Sequence, residues 1–312
     1  MRDVHPAVPP QASRPWIVLA VVVWIGGVWV VSHRVPRPLD PGPFSGEAVL
    51  VGEMVEGRYG PWVVAETELG TLLLDFEEVA GLRRGDLVRV SGIIEGEPGV
   101  ARGRPYRAVL RVRSVERNGS ASSLPTRMGQ GVRERVMTRL EPFDDGRALL
   151  AGFLIGETSR LSSADMDAMR RSGLTHFVAV SGSNVALFLG LLAFAAGPLA
   201  LGPRRRAALG LLGLPVYAAA TGFEPSVLRA SVMAGLALGG RLVGVVFEVW
   251  QLLSLAVMGL VMYDPLLTGN VGFQLSVAAT AGVIVGARWP IRGGRSARAM
   301  AVTAGAQVAV AP

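Results

Sequence analysis

Long uncharged runs alternate along this chain with segments in which apolar and polar residues change places every second position. Trp16 to Val31 holds no charge, and with its flanks (15–33) it is about long enough to cross a ~30 Å hydrocarbon core. An uncleaved transmembrane anchor is expected there rather than a signal peptide. The run is long for a signal core, carries Trp16, Trp24 and Trp29, and lacks a small-residue cleavage site. Residues 1–14 are polar and Pro-rich and read as a disordered cytoplasmic tail.

After a Pro-rich linker from Pro36 to Pro43 the pattern changes to that of strands. Gly46–Val51, Trp62–Glu66, Thr71–Phe76, Leu87–Ile94 and Tyr106–Val115 are short runs separated by Gly-rich turns. Five such strands in one small segment predict a Greek-key barrel at 44–117. A Gly85-Asp86 turn leads into a strand with Gly92 near its end, which suits an OB-type barrel, with an SH3-like barrel as the alternative.

From 128 to 175 the pattern is helical and amphipathic. Val132, Val136 and Leu140 share a face, with Arg133, Arg135 and Arg139 elsewhere. Ser162-Ser163-Ala164-Asp165 resembles a capping box, and Gly173 suits a helix stop. These pieces are too short or too charged to span a bilayer and are expected on its surface or tucked into the protein. Residues 176–312 then read as a transmembrane bundle, with spans at His176–Leu201, Ala207–Thr221, Val227–Val246, Val249–Met262 and Val271–Ala287. A further span begins at Ala299–Ala311. The predicted fold class is a polytopic α-helical membrane protein with an inserted small all-β, OB-like extracytoplasmic domain.

Composition supports the membrane reading: 50% of the 312 residues are hydrophobic and only 18% are charged. The 31 basic residues are all Arg, a codon-bias signature of a GC-rich bacterial genome. Absence of Cys excludes disulfides, thiol catalysis and Cys-bound zinc, and the three His are too scattered for a metal site, so no metal or cofactor is expected. There is no P-loop and no Gly-x-Ser-x-Gly elbow. Arg also sets the orientation. With the amino terminus cytoplasmic, Arg204-Arg205-Arg206, Arg241 and the cluster Arg288, Arg292, Arg295 and Arg298 all fall inside. The Arg-free loops Gly222–Ser226 and Asp264–Asn270 fall outside with the barrel. The protein is therefore expected in a bacterial plasma membrane, in contact with lipid.

Polar residues within the apolar spans are the candidate functional groups, because burying them in lipid is costly. His176, Ser181, Ser183 and Asn184 open one span, where Ser-Gly-Ser-Asn could kink the helix. Tight packing through small residues is the bland alternative. Arg229 lies about one turn into another span and could pair with Glu224, bind a substrate phosphate, or snorkel to the surface. These five are candidates to line a path. Asp264, Gln274 and Ser276 read as structural, capping or bonding between helices. In the barrel an excess of acid at 44–101 gives way to Arg102, Arg104, Arg107, Arg111, Arg113 and Arg117. Alternation puts Arg107, Arg111 and Arg113 on one face of the last strand, with Tyr106, Ala108, Leu110 and Val112 on the other. Such a face can track a single-stranded nucleic acid, with Tyr59, Trp62 or Tyr106 stacking bases, or can simply be solvated.

Gly173-Leu174-Thr175-His176 with Ala179-Val180-Ser181-Gly182, and Thr221-Gly222 with Ser226, Arg229-Ala230 and Met233, recur in order with Asp264-Pro265 and Gly272-Phe273-Gln274-Leu275-Ser276. In these pieces the chain resembles the ComEC family of bacterial competence proteins, from about residue 44 onward. The resemblance implies an inner-membrane channel passing one DNA strand into the cytoplasm during transformation, with an OB-like soluble domain and no catalysis of its own. It also implies an external DNA receptor and a cytoplasmic ATPase as partners, and a homo-oligomer is possible. Many members add a metallo-β-lactamase-like domain whose motif this sequence lacks. The sequence stops at Ala311-Pro312, before spans the family normally continues with, as expected of a fragment, a truncated product or one part of a split protein. Asn184 stands where many members carry His. Two other functions fit the same residues: an intramembrane serine hydrolase using Ser183 with His176, which needs a kink to bring them together, and a degenerate, non-transporting scaffold.

Overall fold

The structure, a computed structural model, describes residues 14–33, 38–52, 54–57, 60–76, 81–82, 84–101, 104–120, 124–142, 144–157, 161–172, 181–288 and 295–310. Among the described residues, helix α1 (Arg14–His33) is followed by eight strands. They are β1 (Gly42–Leu50), β2 (Val55–Gly57), β3 (Gly60–Thr67), β4 (Gly70–Asp75), β5 (Asp86–Glu95), β6 (Gly99–Ala101), β7 (Arg104–Tyr106) and β8 (Val109–Ser120).

The five longer strands close into a ring in the order β1, β5, β8, β4, β3 and back to β1. All pairings in that ring are antiparallel except β4 with β8, which is parallel. A parallel contact between the third and last long strands marks the OB arrangement; an SH3-like barrel has an antiparallel meander instead. Alternation builds the core. Leu50, Leu72, Leu74, Val88, Val90 and Leu110 point inward with almost no accessible surface, while their strand neighbours face out. Gly92 sits at a register shift between β5 and β8, and a Cβ there would run into the Arg111 carbonyl. Only glycine lets the strands approach so closely at that bulge. Asp86, fully buried at the start of β5, accepts from Arg117 Nη2 at 2.7 Å.

The rest is helical: α2 (Leu124–Leu140), α3 (Asp145–Ile155), α4 (Ser163–Ser172), α5 (Gly182–Ala195), α6 (Pro203–Ala220), α7 (Pro225–Val243), α8 (Val249–Tyr263), α9 (Val271–Arg288) and α10 (Arg295–Val310). Their ends follow local chemistry. Asp144 accepts from the Arg147 amide at 2.8 Å to start α3, and Ser162 accepts from the Asp165 amide at 3.1 Å before α4. Pro203 and Pro225 open α6 and α7, where a missing amide hydrogen costs nothing. Gly244 (φ +80°) stops α7 in the left-handed region, and Glu248 with Gln251 forms a reciprocal capping box for α8.

Among the described residues two helices, Pro225–Val243 and Val271–Arg288, are long and apolar enough to cross a membrane by length and composition. Apolar stretches at Pro15–Val30, Gly182–Ala195 and Val249–Tyr263 are shorter. Phe273 centres one helical core with Leu253, Val257, Leu260 and Ile284. Trp24 of α1 stacks on it at 5.7 Å between ring centres. Val185, Leu214, Ala218 and Val227 form a second core where α5, α6 and α7 meet. Gly282 and Gly305 let α9 and α10 touch backbone to backbone, since a Cβ on either would strike the other's carbonyl. The outward faces are apolar too: Val18, Val22 and Ile25 on α1, Leu187, Leu191 and Phe194 on α5, and Leu212 on α6 are all exposed.

Candidate functional site

The basic face of the barrel is smaller than the alternation suggested. Arg111 and Arg113 do project from the exposed face of β8, with Leu110 and Val112 buried between. Arg111 lies 3.6 Å from Glu95 on the neighbouring strand, and both remain largely exposed, so that pair holds the side chain only weakly. Arg113 has no carboxylate partner among the described residues and edges a shallow cleft of about 500 Å³ with Phe44, Ser45, Ser91 and Gly92. Arg107 does not belong to this face. It sits in the bend before β8, and its guanidinium donates to the Leu69 carbonyl across the β3–β4 turn. Tyr106 likewise lies outside β8, in the two-stranded β6–β7 ribbon. The backbone turns at Arg107 and Ala108, which breaks the two-residue period on which the sequence reading relied. Trp62 is partly buried in β3, and Tyr59 and Arg102 lie outside the described residues.

The barrel is fastened to the helices by arginines to which the sequence assigned no such role. Arg84, just before β5, donates to the Gly222 carbonyl at 3.1 Å and lies over the Phe223 ring at 4.7 Å. Arg104, in the β6–β7 ribbon, reaches Asp264 at 2.9 Å. Helix α2 grips the same turn: Gln130 donates to the Arg84 carbonyl at 2.9 Å, and Arg133 donates to the Ala220 and Ile155 carbonyls at 3.2 Å. Arg133 also pairs with Glu157 at 2.6 Å. Gly129 lets α2 come this close, because a Cβ would collide with Ala219. Phe223 itself is held at φ +57°, a strained value for a bulky residue. The signal in the sequence was indirect: both partner turns are the Arg-free loops, and the barrel supplies the arginines that meet them.

Behind that turn lies a polar cluster built from α5, α7 and α9. Ser181 stands at the N-cap position of α5 without a side-chain capping bond, and its hydroxyl is 2.6 Å from that of Ser183; both also reach Asn184 Oδ1 at 3.3 Å. Asn184 is only 5% exposed and donates to the Phe153 carbonyl at 2.7 Å, tying α5 to α3. Arg229 is only 6% exposed; its Nε donates to Ser276 Oγ at 2.9 Å and its Nη1 meets Met233 Sδ at 3.2 Å. Its Nη2 lies against Gly182, 3.1 Å from where a Cβ would stand. Arg229 therefore neither snorkels nor pairs with Glu224, and among the described residues no carboxylate neutralises it. Ser276 thus bonds between helices, with Arg229 of α7 as its partner. Gln274 donates to the Thr268 carbonyl at 2.6 Å, and Asp264 accepts from the Leu266 amide at 3.1 Å while also holding Arg104. His176 and Gly173 fall outside the described residues, so the Ser183–His176 pairing is not part of the described geometry.

This cluster and the turns that carry it lie in the stretch that known proteins share. Residues 153–312, just over half of the chain, match the family described as Competence protein. The chain belongs to the competence protein family. It is 29% identical over 141 residues to ComE operon protein 3 of Bacillus subtilis (strain 168), covering 45% of this chain and 18% of that protein. It is 33% identical over 152 residues to Competence protein ComA of Neisseria gonorrhoeae, covering 45% of this chain and 21% of that one. The match thus spans about a fifth of the length of either curated relative. No solved structure matches. The match covers α4 to α10, with Arg229, Asn184 and Asp264; the barrel and the arginines that fasten it precede the matched residues.

Proposed function

We propose that this chain is a membrane-embedded component of the bacterial DNA-uptake machinery, forming with its helices part of an inner-membrane channel for single-stranded DNA during natural transformation. The observation that carries the reading is the coupling of two sites. An OB barrel with exposed Arg111 and Arg113 is clamped by Arg84 and Arg104 onto the turns at Gly222 and Asp264. Close to those turns lies a buried Arg229, bonded to Ser276, set against Gly182 at the start of α5, and without a carboxylate partner among the described residues. Arginine without a paired acid is suited to passing phosphates, and OB barrels are common single-strand platforms. The matched family is described as Competence protein, and one of the two relatives is named Competence protein ComA.

The disposition in the membrane follows. Exposed apolar faces on α1, α5 and α6 need lipid as their solvent. The barrel sits at the α6–α7 turn, whereas Arg204 to Arg206 and Arg241 lie at the other end of that hairpin. With α6 of 18 residues, the two ends are about 27 Å apart. Arg-rich ends face the cytoplasm, so the barrel is outside and the amino terminus inside, in a multi-pass arrangement. The chain contributes binding and a path rather than catalysis. A receptor delivering DNA outside, an ATPase inside and further copies of the chain would complete the machine.

The test is a titration of the full chain in mild detergent with fluorescent single-stranded DNA at several salt concentrations. Binding should weaken with salt, and R111E/R113E should weaken it at least tenfold while flattening the salt dependence by about 1.4 units of slope, about 0.7 for each lost phosphate contact. Binding unchanged in that variant, or absent at low salt, would refute the barrel track.

A further inference from the structure

At the end of the α6–α7 hairpin away from the barrel, helices α5, α6 and α7 enclose a cleft of about 480 Å³. Leu189 and Leu192 of α5, Leu209 of α6, and Leu238 and Leu242 of α7 line its walls. Gly210 sets the floor: a Cβ there would meet Leu238 Cδ1 at 2.9 Å and Leu189 Cδ2 at 3.3 Å, so the three helices converge beneath an otherwise open space. Arg204, Arg206 and Arg241 stand at the rim, all exposed, and no acidic residue lines the cleft among the described residues. Among the described residues none of these three guanidinium groups has a carboxylate partner, whereas Arg104, Arg117, Arg133 and Arg288 all do. Three like charges around an apolar hollow are left uncompensated by the fold itself.

We propose that this cleft binds an anionic phospholipid, with an acyl chain against the leucines and the headgroup phosphate held by Arg204, Arg206 and Arg241. The inference rests on the membrane disposition proposed above, which sets this end of the hairpin at the cytoplasmic leaflet. Two features favour lipid over a nucleic-acid backbone, although both offer phosphate. The walls are leucine and alanine with no aromatic ring on which a base could stack, and the depth is apolar, which suits a hydrocarbon chain. Basic pockets between helices on the cytoplasmic side are a recognised form of anionic-lipid recognition. The site lies on α7, whose opposite end carries Arg229, so lipid seated here also fixes the helix that presents the buried arginine.

The experiment is native mass spectrometry of the full chain released from mild detergent, titrated with phosphatidylglycerol and with phosphatidylcholine of identical acyl chains. Phosphatidylglycerol should bind at least tenfold more tightly. Each of R204Q, R206Q and R241Q should reduce that preference about fivefold, and the triple variant should abolish it. Leu192→Trp, which fills the cleft without touching its charge, should weaken both lipids, whereas R111Q/R113Q on the barrel should alter neither. Equal binding of the two lipids by the unaltered chain, or a preference that survives the triple substitution, overturns the proposal. So does displacement of phosphatidylglycerol by oligodeoxythymidine with the same arginine dependence, which assigns the rim to DNA instead. A chain that fails to fractionate with membranes takes down the membrane disposition together with this site; a membrane-bound chain without lipid preference takes down this site alone.

Discussion

Arg104 and Asp264 give a direct measure of how firmly the barrel is held to the helices. Their atoms are 2.9 Å apart, with 27% and 20% of the two side chains exposed. At that distance the bare attraction is about 1.4 kcal/mol in the dielectric of water and about 6 kcal/mol at an effective value of ~20. Desolvation of two mostly buried ions removes much of the larger figure, leaving about 1.5–2 kcal/mol for a charge-assisted hydrogen bond. Asp264 has a second task, because its Oδ1 accepts from the Leu266 amide at 3.1 Å and starts the turn Pro265–Gly269. Losing such a cap costs about 1 kcal/mol. Arg104→Ala should therefore destabilise by about 1.5–2 kcal/mol and Asp264→Ala by about 2.5–3 kcal/mol. The coupling from a double-mutant cycle should be about 1.5 kcal/mol. Denaturant unfolding of the full chain in mild detergent, followed by tryptophan fluorescence, measures all four corners of the cycle. A coupling below about 0.3 kcal/mol, within the error of additivity, would show that the ion pair does not fasten the barrel. Equal losses from the two single substitutions would refute the capping role of Asp264.

Other consequences are equally direct. Asn184→Ala should cost about 1–3 kcal/mol, because it strands the Phe153 carbonyl in a buried site, and the loss should appear in thermal stability even without DNA. Gly282→Leu should separate α9 from α10 and lower the thermal midpoint markedly, whereas the same change at Gly259, where a Cβ meets nothing within 4 Å, should be mild. Because the chain has no Cys, single cysteines report sidedness cleanly. A membrane-impermeant maleimide applied to intact cells should label Arg113→Cys and spare Arg205→Cys, and the reverse pattern would invert the topology.

The chemistry of individual segments was legible in the sequence wherever it is local. Alternation located the five long strands, because a strand facing a core must bury every second residue, and Gly85-Asp86 marked the entry to β5. The apolar runs likewise became α5 to α10, with Pro203, Pro225 and Gly244 near their ends. Where an irregularity broke the period, the reading failed: the bend at Arg107 removed that residue from the basic face and handed its guanidinium to Leu69. The sequence by itself determined five short strands, apolar helical runs and an asymmetric distribution of arginine, since each depends on neighbours within a few residues; the parallel pairing of β4 with β8 that makes the barrel OB-like came from the tertiary structure. Only the tertiary structure decided what each arginine does. Arg84 clasps Gly222, Arg104 pairs with Asp264, and Arg229 is buried against Ser276, while Arg204, Arg206 and Arg241 are left free around a cleft. A guanidinium on a flexible stem is indifferent to its own position in the chain. Its partner is whichever carbonyl, ring or carboxylate the packing of distant elements brings within a few ångströms.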